Sequence, residues 1–237
     1  MEKVVILLNN GFFLYITIKI FTYMWQIVPR RFIKMAEMII NIPAIEDNEI
    51  EEERIFEEEI ENRCIFLDDE ITEETLSKIT KQILRINKKD KKLDYKDRQP
   101  IYLIIDTIGG SLTASLGIYN VLKLSKTPII GINLSCAFSG GFIIYLGCHE
   151  RLTCELAQFL IHQGETTNLS GSPTQLKGFM DYYEGLEKTV KEIVLKETNI
   201  SEELYNLKYQ QEWYIFTKEA IKLGIAHKIV NSIDELF

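Results

Sequence analysis

Cysteine, histidine and positive charge are all scarce in this chain, and each shortage removes a class of function. Its four cysteines, Cys64, Cys136, Cys148 and Cys154, form no Cys-x-x-Cys pair. Three of them lie in apolar runs, as reduced core residues of an intracellular protein do, which excludes a disulfide scaffold and a cysteine-based zinc site. Lysine and arginine number 27 against 35 aspartates and glutamates, a formal net charge of −8. A nucleic-acid surface needs the opposite balance. No Gly-x-x-x-x-Gly-Lys-Ser/Thr segment occurs, so a phosphate-binding loop is out. Internal repeats and low-complexity tracts are missing too. No metal site is expected.

A clean membrane-length run is also lacking, though by little. Val4 to Val28 is largely apolar and is followed by Pro29-Arg30-Arg31 and Lys34. A span needs about 20 apolar residues, and Asn9, Asn10 and Lys19 interrupt this one. No small-residue cleavage site of the signal-peptide kind follows. Two expectations stand side by side. Residues 4–28 form a membrane anchor with the basic flank toward the cytoplasm, or the stretch is a non-native extension and translation starts at Met35. From Asp47 to Glu61 the chain is acidic with little periodicity, a solvated linker or a frayed helix. Residues 1–61 are therefore taken as an N-terminal extension and 62–237 as the folded domain.

What remains is an ordinary globular composition, 46% hydrophobic and 26% charged,. Cys64-Ile-Phe-Leu67 suits a short buried strand. Leu76, Ile79, Ile83 and Leu84 recur at helical spacing within residues 72–86, with Glu73 and Glu74 in the first turn, as the helix dipole favours. After a charged loop over residues 88–100, Ile101-Tyr-Leu-Ile-Ile105 shows no alternation and reads as a strand buried on both faces. A helix over 111–124 and a second buried strand over 128–132 follow. Strand, helix, strand at this spacing means βαβ units and a parallel sheet, an α/β fold. Ser139 opens another helix, and residues 156–161 are strand-like up to His162. Ser172-Pro-Thr-Gln175 carries a capping box with proline at the first helical position. The helix it opens has Leu176, Phe179, Tyr183, Leu186, Val190 and Val194 on one face. Residues 213–230 mix a strand-like stretch with a short helix ending at Gly224.

Three segments could carry chemistry. In Ile105-Asp-Thr-Ile-Gly-Gly-Ser111, between a strand and a helix, paired glycines can turn backbone N–H groups toward a ligand; a tight turn with Ser111 as N-cap is the plainer reading. In Cys136-Ala-Phe-Ser-Gly-Gly-Phe142, Ser139 is placed either as a nucleophile, with the Gly140 N–H facing developing negative charge, or as a helix cap. His162, one of three histidines, ends a buried strand, where sites in α/β sheets assemble; a core histidine bonded to a backbone carbonyl is the alternative. His149 and His227 sit in charged surroundings and are read as solvated.

Order and spacing then matter together. Arg63-Cys-Ile-Phe-Leu67, the Ile101–Ser115 segment with Gly117-Ile-Tyr119, the Ser139 region, Ile161-His-Gln163 and Thr217-Lys-Glu-Ala-Ile-Lys-Leu-Gly224 together resemble the ClpP-type serine peptidases, the proteolytic subunits of Clp proteases, from Asn62 to Val230. The Ser-Gly-Gly-Phe form also resembles the signal-peptide-peptidase relatives. The resemblance implies a ClpP/crotonase-like superhelix of repeated β-β-α units with a long projecting helix, residues 62–237 being the peptidase domain. It implies a serine endopeptidase cleaving unfolded or extended polypeptides in the cytoplasm. Ser139 would be the nucleophile, His162 the base, and the N–H groups of Gly109 and Gly140 the oxyanion hole. It further implies a homo-oligomer of stacked heptameric rings fed by an AAA+ unfoldase, with ATP used by that partner and no cofactor in the peptidase itself.

The departures are specific. The family form has methionine after the serine and one more residue before the phenylalanine; without a gap, Phe138 falls on the catalytic position and the chain is an inactive ring subunit. A one-residue deletion restores Ser139. The family's aspartate is replaced by Glu212, in Gln211-Glu-Trp-Tyr-Ile-Phe216, with a solvated strand-edge glutamate as the alternative. Gly164 stands where proline usually follows His-Gln. Two further readings keep the fold and change the function: a membrane-bound protease of the signal-peptide-peptidase kind, and an acyl-CoA enzyme.

Overall fold

The computed structural model describes residues 3–8, 12–17, 47–164 and 169–235. These fall into two compact units, Met1–Glu51 and Glu52–Phe237. In the first, β1 (Lys3–Leu8) and β2 (Phe12–Thr17) pair antiparallel, Lys3 opposite Thr17 and Leu8 opposite Phe12. The expected membrane contact through residues 4–28 is corrected by this. The described parts of that stretch are paired strands, and among the described residues no helix is long and apolar enough to cross a membrane. The remainder of 4–28, and Met35, lie outside the described residues.

The acidic stretch forms a helix, α1 (Asp47–Asn62), rather than a linker. Its last turns give it an anchor the charge pattern hid. Ile60 is buried in the core, and buried Glu59 accepts hydrogen bonds from Gln82 Nε2 (2.6 Å) and the Phe66 N–H (3.0 Å). Arg63, directly after the helix, adopts a left-handed φ of 57°, the usual way a helix is turned off. That turn brings its guanidinium onto Asp90.

The rest builds one sheet from β3 (Cys64–Leu67), β4 (Ile101–Thr107), β5 (Ile129–Phe138), β6 (Glu150–Cys154), β7 (Gln158–Ile161), β8 (Trp213–Phe216) and β9 (Lys228–Val230), with path β3-β4-β5-β6-β9. Every pair along that path is parallel, as the uninterrupted apolar runs imply,. The strand at β5 is twice the expected length, because it changes partner midway. Residues Ile130 to Asn133 pair with β6, and Cys136 to Phe138 pair with β7. Next to this switch the β4–β5 register shifts between Ile105 and Thr107. β8 closes on β7 antiparallel, Ile161 opposite Trp213.

Helices α2 (Glu73–Asp90), α3 (Leu112–Leu124) and α4 (Gly140–Gly147) cover one face, where Ile65, Ile83, Leu103, Ile105, Ile118 and Tyr145 are buried. Ile104, Ile132 and Leu152 form a smaller cluster of their own. The long helix α5 (Pro173–Glu197) starts on the capping box read from the sequence, with Ser172 Oγ accepting from the Gln175 N–H. It buries Val190, Ile193 and Val194 near its end and leaves Met180 and Tyr182 exposed in its first half. Helices α6 (Glu202–Lys208) and α7 (Thr217–Lys222) complete the chain.

A buried ionic knot ties the start of β3 to the end of α2. The Arg63 guanidinium bonds both oxygens of Asp90, and also the carbonyls of Gln99 (2.7 Å) and Pro100 (3.3 Å), while Thr127 Oγ1 donates to Asp90 at 2.8 Å. Burial alone would raise the Asp90 carboxyl; the Arg63 and Thr127 hydrogen bonds outweigh it and hold the pKa below its ordinary value. A depressed carboxylate stabilises the fold above its unfolded pKa and loses that contribution as pH falls through the folded value. Asp90→Asn is expected to cost about 3 kcal/mol at pH 7 by stranding Arg63, read from urea unfolding. The gap between wild type and variant should close as pH falls below about 4. A gap that persists at full size to pH 2 would contradict this assignment.

Candidate active site

β5 ends where it runs into a turn that only small residues can make. Ser139, between β5 and α4, has φ 52° and ψ −115°, a conformation that costs a non-glycine residue about 1–3 kcal/mol. Its own N–H donates to the Leu160 carbonyl of β7 (3.0 Å), so the turn is pinned to the neighbouring strand. Its hydroxyl makes no cap hydrogen bond, unlike that of Ser111, which accepts from the Ala114 N–H (3.2 Å) and caps α3. Phe138, the other residue the sequence placed at this position, pairs with Leu160 and turns its ring edge-on to Tyr214 at 5.7 Å.

The glycines around it are set by contact distance. A Cβ on Gly109, which has φ 106°, would lie 2.8 Å from Ser139 Cβ and 2.9 Å from the Phe138 carbonyl oxygen. A Cβ on Gly140 would meet Ser115 Oγ at 2.2 Å. At Gly109 the two strand-to-helix turns therefore touch backbone to backbone, and Gly140 packs against the Ser115 side chain of α3. The Gly140 N–H is the first of α4, one of the donors a helix leaves without a carbonyl of its own. The Gly109 N–H is shared with Thr107 Oγ1 at 3.2 Å, and that hydroxyl donates in turn to the Asp69 carbonyl at 2.6 Å.

Three adjacent strands bring the candidate residues to one edge. β5 ends at Phe138, β7 ends one residue before His162, and β8 begins one residue after Glu212. His162 Nδ1 lies 3.0 Å from Glu212 Oε1. A carboxylate opposite Nδ1 selects the tautomer with its proton there and leaves Nε2 as the basic nitrogen. Glu212 is half exposed while the His162 side chain is mostly covered. The register that supplies this contact is the antiparallel β7–β8 pairing, which the sequence pattern did not reveal.

Ser139, Gly140 and His162 line one cleft of about 500 Å³ together with Gly110, Leu160 and residues of α5. That volume is in the range of ligand sites. Its other wall holds residues the sequence offered only as an apolar helix face: Phe179, Tyr183, Leu186 and, beside them, Glu187. Tyr183 also accounts for Gly164. A Cβ there would lie 2.1 Å from the tyrosine hydroxyl, so the residue after His162-Gln163 is small where this ring leans in.

The other expected groups fall elsewhere. His149 and His227 are exposed, as expected, but each also uses one ring nitrogen inside the fold. His149 Nδ1 accepts from the Ile129 N–H (3.1 Å) and His227 Nδ1 from the Arg151 N–H (3.2 Å). Burial first, then neighbouring cations, lowers both pKa values, so these rings are neutral structural acceptors. Cys136, three residues before Ser139, has its thiol pushed up to about 11 by burial and by Asp106. A thiol that weakly acidic is a poor nucleophile at neutral pH. Among the described residues no cluster of metal-ligating side chains occurs.

Residues 47–233 match the family model described as Clp protease. The chain is 26% identical over 185 residues to the "ATP-dependent Clp protease proteolytic subunit 2" of Bifidobacterium longum, covering 77% of this chain and 86% of that protein. It is 25% identical over 194 residues to the "ATP-dependent Clp protease proteolytic subunit 1" of Borreliella burgdorferi, covering 80% and 96%. Among solved structures, a point mutant of ClpP1 from Listeria monocytogenes superposes with a TM-score of 0.66 at 19% identity, covering 77% of this chain and 99% of that one. This last likeness concerns the fold.

Because Gly109 combines a left-handed φ with two backbone-level contacts, Gly109→Ala should destabilise the protein by about 2–3 kcal/mol. Urea unfolding would show it as a lower midpoint at unchanged slope. An unchanged midpoint would mean that the two turns are not in contact.

Proposed function

The chain belongs to the Clp protease family, and on that premise we propose that it is a serine endopeptidase, the proteolytic subunit of an ATP-dependent Clp-type protease, acting on unfolded or extended polypeptides in the cytoplasm. The observation that carries the site assignment is the shared edge of β5, β7 and β8. It supplies a strained serine, a histidine in the same cleft and a carboxylate 3.0 Å behind that histidine.

In this reading Ser139 Oγ attacks the scissile carbonyl while His162 Nε2 takes its proton. The imidazolium that forms is stabilised by Glu212, and it returns the proton to the leaving amine. Water then repeats the sequence on the acyl-enzyme. The N–H groups of Gly140 and Gly109 receive the oxyanion, each worth roughly two to three orders of magnitude in rate. The Thr107 hydroxyl gives up its bond to Gly109 when that charge develops. The strained φ at Ser139 supports this role over Phe138, because a sharp strand-to-helix turn raises a hydroxyl above the sheet for attack. Glu212 in place of aspartate is accommodated because β8 starts directly after it.

The larger assembly follows by family. We assign residues 62–237 to the peptidase domain and 1–61 to an N-terminal extension. The midway change of partner along β5 supports a crotonase-like superhelix of β-β-α units. The exposed Met180 and Tyr182 on the first half of α5 suit a surface covered in stacked heptameric rings, with an AAA+ unfoldase delivering substrate.

Hydrolysis of a fluorogenic peptide and of unfolded casein by the full chain tests the assignment. Ser139→Ala should remove activity down to the uncatalysed background. Glu212→Gln should lower kcat by roughly 10³–10⁴. Activity retained in Ser139→Ala would refute the nucleophile.

A further inference from the structure

The cleft lining holds a carboxylate that the catalytic steps do not use. Glu187 lines it from α5, half-buried, one helical turn beyond Tyr183. Gln163, the residue after His162, donates Nε2–H to Glu187 Oε1 at 3.0 Å. Tyr209 lines the same cleft, with its hydroxyl beside the carboxylate. Burial, then neighbouring Tyr205 and Glu187, push the Tyr209 hydroxyl up, so it remains a donor across the whole working pH range. Both partners of the carboxylate are thus neutral. Among the described residues no Lys, Arg or His forms an ion pair with Glu187. That is unlike Glu197, Glu202 and Glu59, each of which has a lysine.

The same lining includes the apolar and aromatic residues Leu160, Ile161, Phe179, Tyr182 and Leu186. A lining of that kind favours a side chain with a long hydrocarbon stem, and an unpaired carboxylate within it favours a cation at the tip. Lysine and arginine have that build. An aromatic wall adds to the attraction for the cation. A short or acidic side chain satisfies neither requirement.

We propose that Glu187, oriented by Gln163 and Tyr209, is a specificity-determining residue that selects substrates with a long cationic side chain on the residue whose carbonyl Ser139 attacks. This rests on the peptidase reading above. Glu187 touches the substrate side chain and takes no part in the bond changes.

Two fluorogenic peptides that differ only at that residue, lysine against its uncharged near-isostere norleucine, measure the effect as a ratio of kcat/KM on the full chain. Wild type should favour lysine by about tenfold, the worth of one charge-assisted hydrogen bond in a half-buried site. Glu187→Gln should reduce that ratio to about one, and Glu187→Lys should invert it. Using the ratio within each variant cancels any general loss of activity. If wild type cleaves the norleucine peptide, and Ser139→Ala abolishes that cleavage, but lysine is not favoured, the inference is overturned and the peptidase reading stands. If wild type cleaves neither peptide, both fall together. A lysine preference that survives Glu187→Gln unchanged also overturns it, because the selectivity then comes from elsewhere.

Discussion

Everything at the site depends on two strand-to-helix turns, Thr107–Gly110 and Phe138–Gly141, approaching closely enough that a single methyl group does not fit between them. While Gly140 is held against the Ser115 side chain of α3, the contact distances at Gly109 set this limit. It fixes where β4 and β5 stop, and so where α3 and α4 start. It also forces Ser139 into a left-handed backbone that no local preference would choose. The strain is held by neighbours on every side: the Leu160 carbonyl takes the Ser139 N–H, and the Ser139 carbonyl receives the N–H groups of Phe142 and Ile143. A serine held this way keeps one backbone conformation. That is the advantage a preorganised site has over a flexible one.

The partner switch along β5 is the second half of the design. Its first residues pair with β6 and its last with β7, so the strand carrying the serine hands over to the strand carrying the histidine. β8 then adds the glutamate by antiparallel pairing. Residues distant in sequence meet because strands of one sheet end at one edge. The same arrangement brings α5 into the lining of the cleft with the serine, so the wall of the cleft and the candidate residues are set by one packing problem. Gly164 and Tyr183 show that coupling directly: the ring occupies the space that a side chain after His162-Gln163 would need.

Much of this was legible beforehand, for identifiable reasons. The apolar runs at 101–105 and 128–132 declared parallel strands because burial on both faces leaves no alternation. The capping box at Ser172 announced α5 because its chemistry is local. Ser139, His162 and Glu212 were found as candidates from order and spacing, and the structure brings His162 and Glu212 into contact. Other features were hidden because they are tertiary. The acidic composition of 47–61 left a linker and a frayed helix both open, and the burial of Ile60 that anchors the helix is a tertiary contact. His149 and His227 are exposed beside charged residues, as read, yet each also accepts a backbone hydrogen bond that no local pattern announces. The apolar stretch near the start read as a possible anchor, although Asn10-Gly11 between two runs of strand-forming residues is a hairpin signal. Glu187 gave no sign of itself, since a glutamate on a helix is ordinary until the opposite wall of the cleft is known.

The most direct test of the account is to treat the folded full chain with a fluorophosphonate and map the modified residue by peptide mass spectrometry. The account expects one adduct, on the peptide carrying Ser139, formed far more slowly when His162 is replaced by alanine. An unmodified protein, or an adduct on another serine such as Ser111, would contradict it.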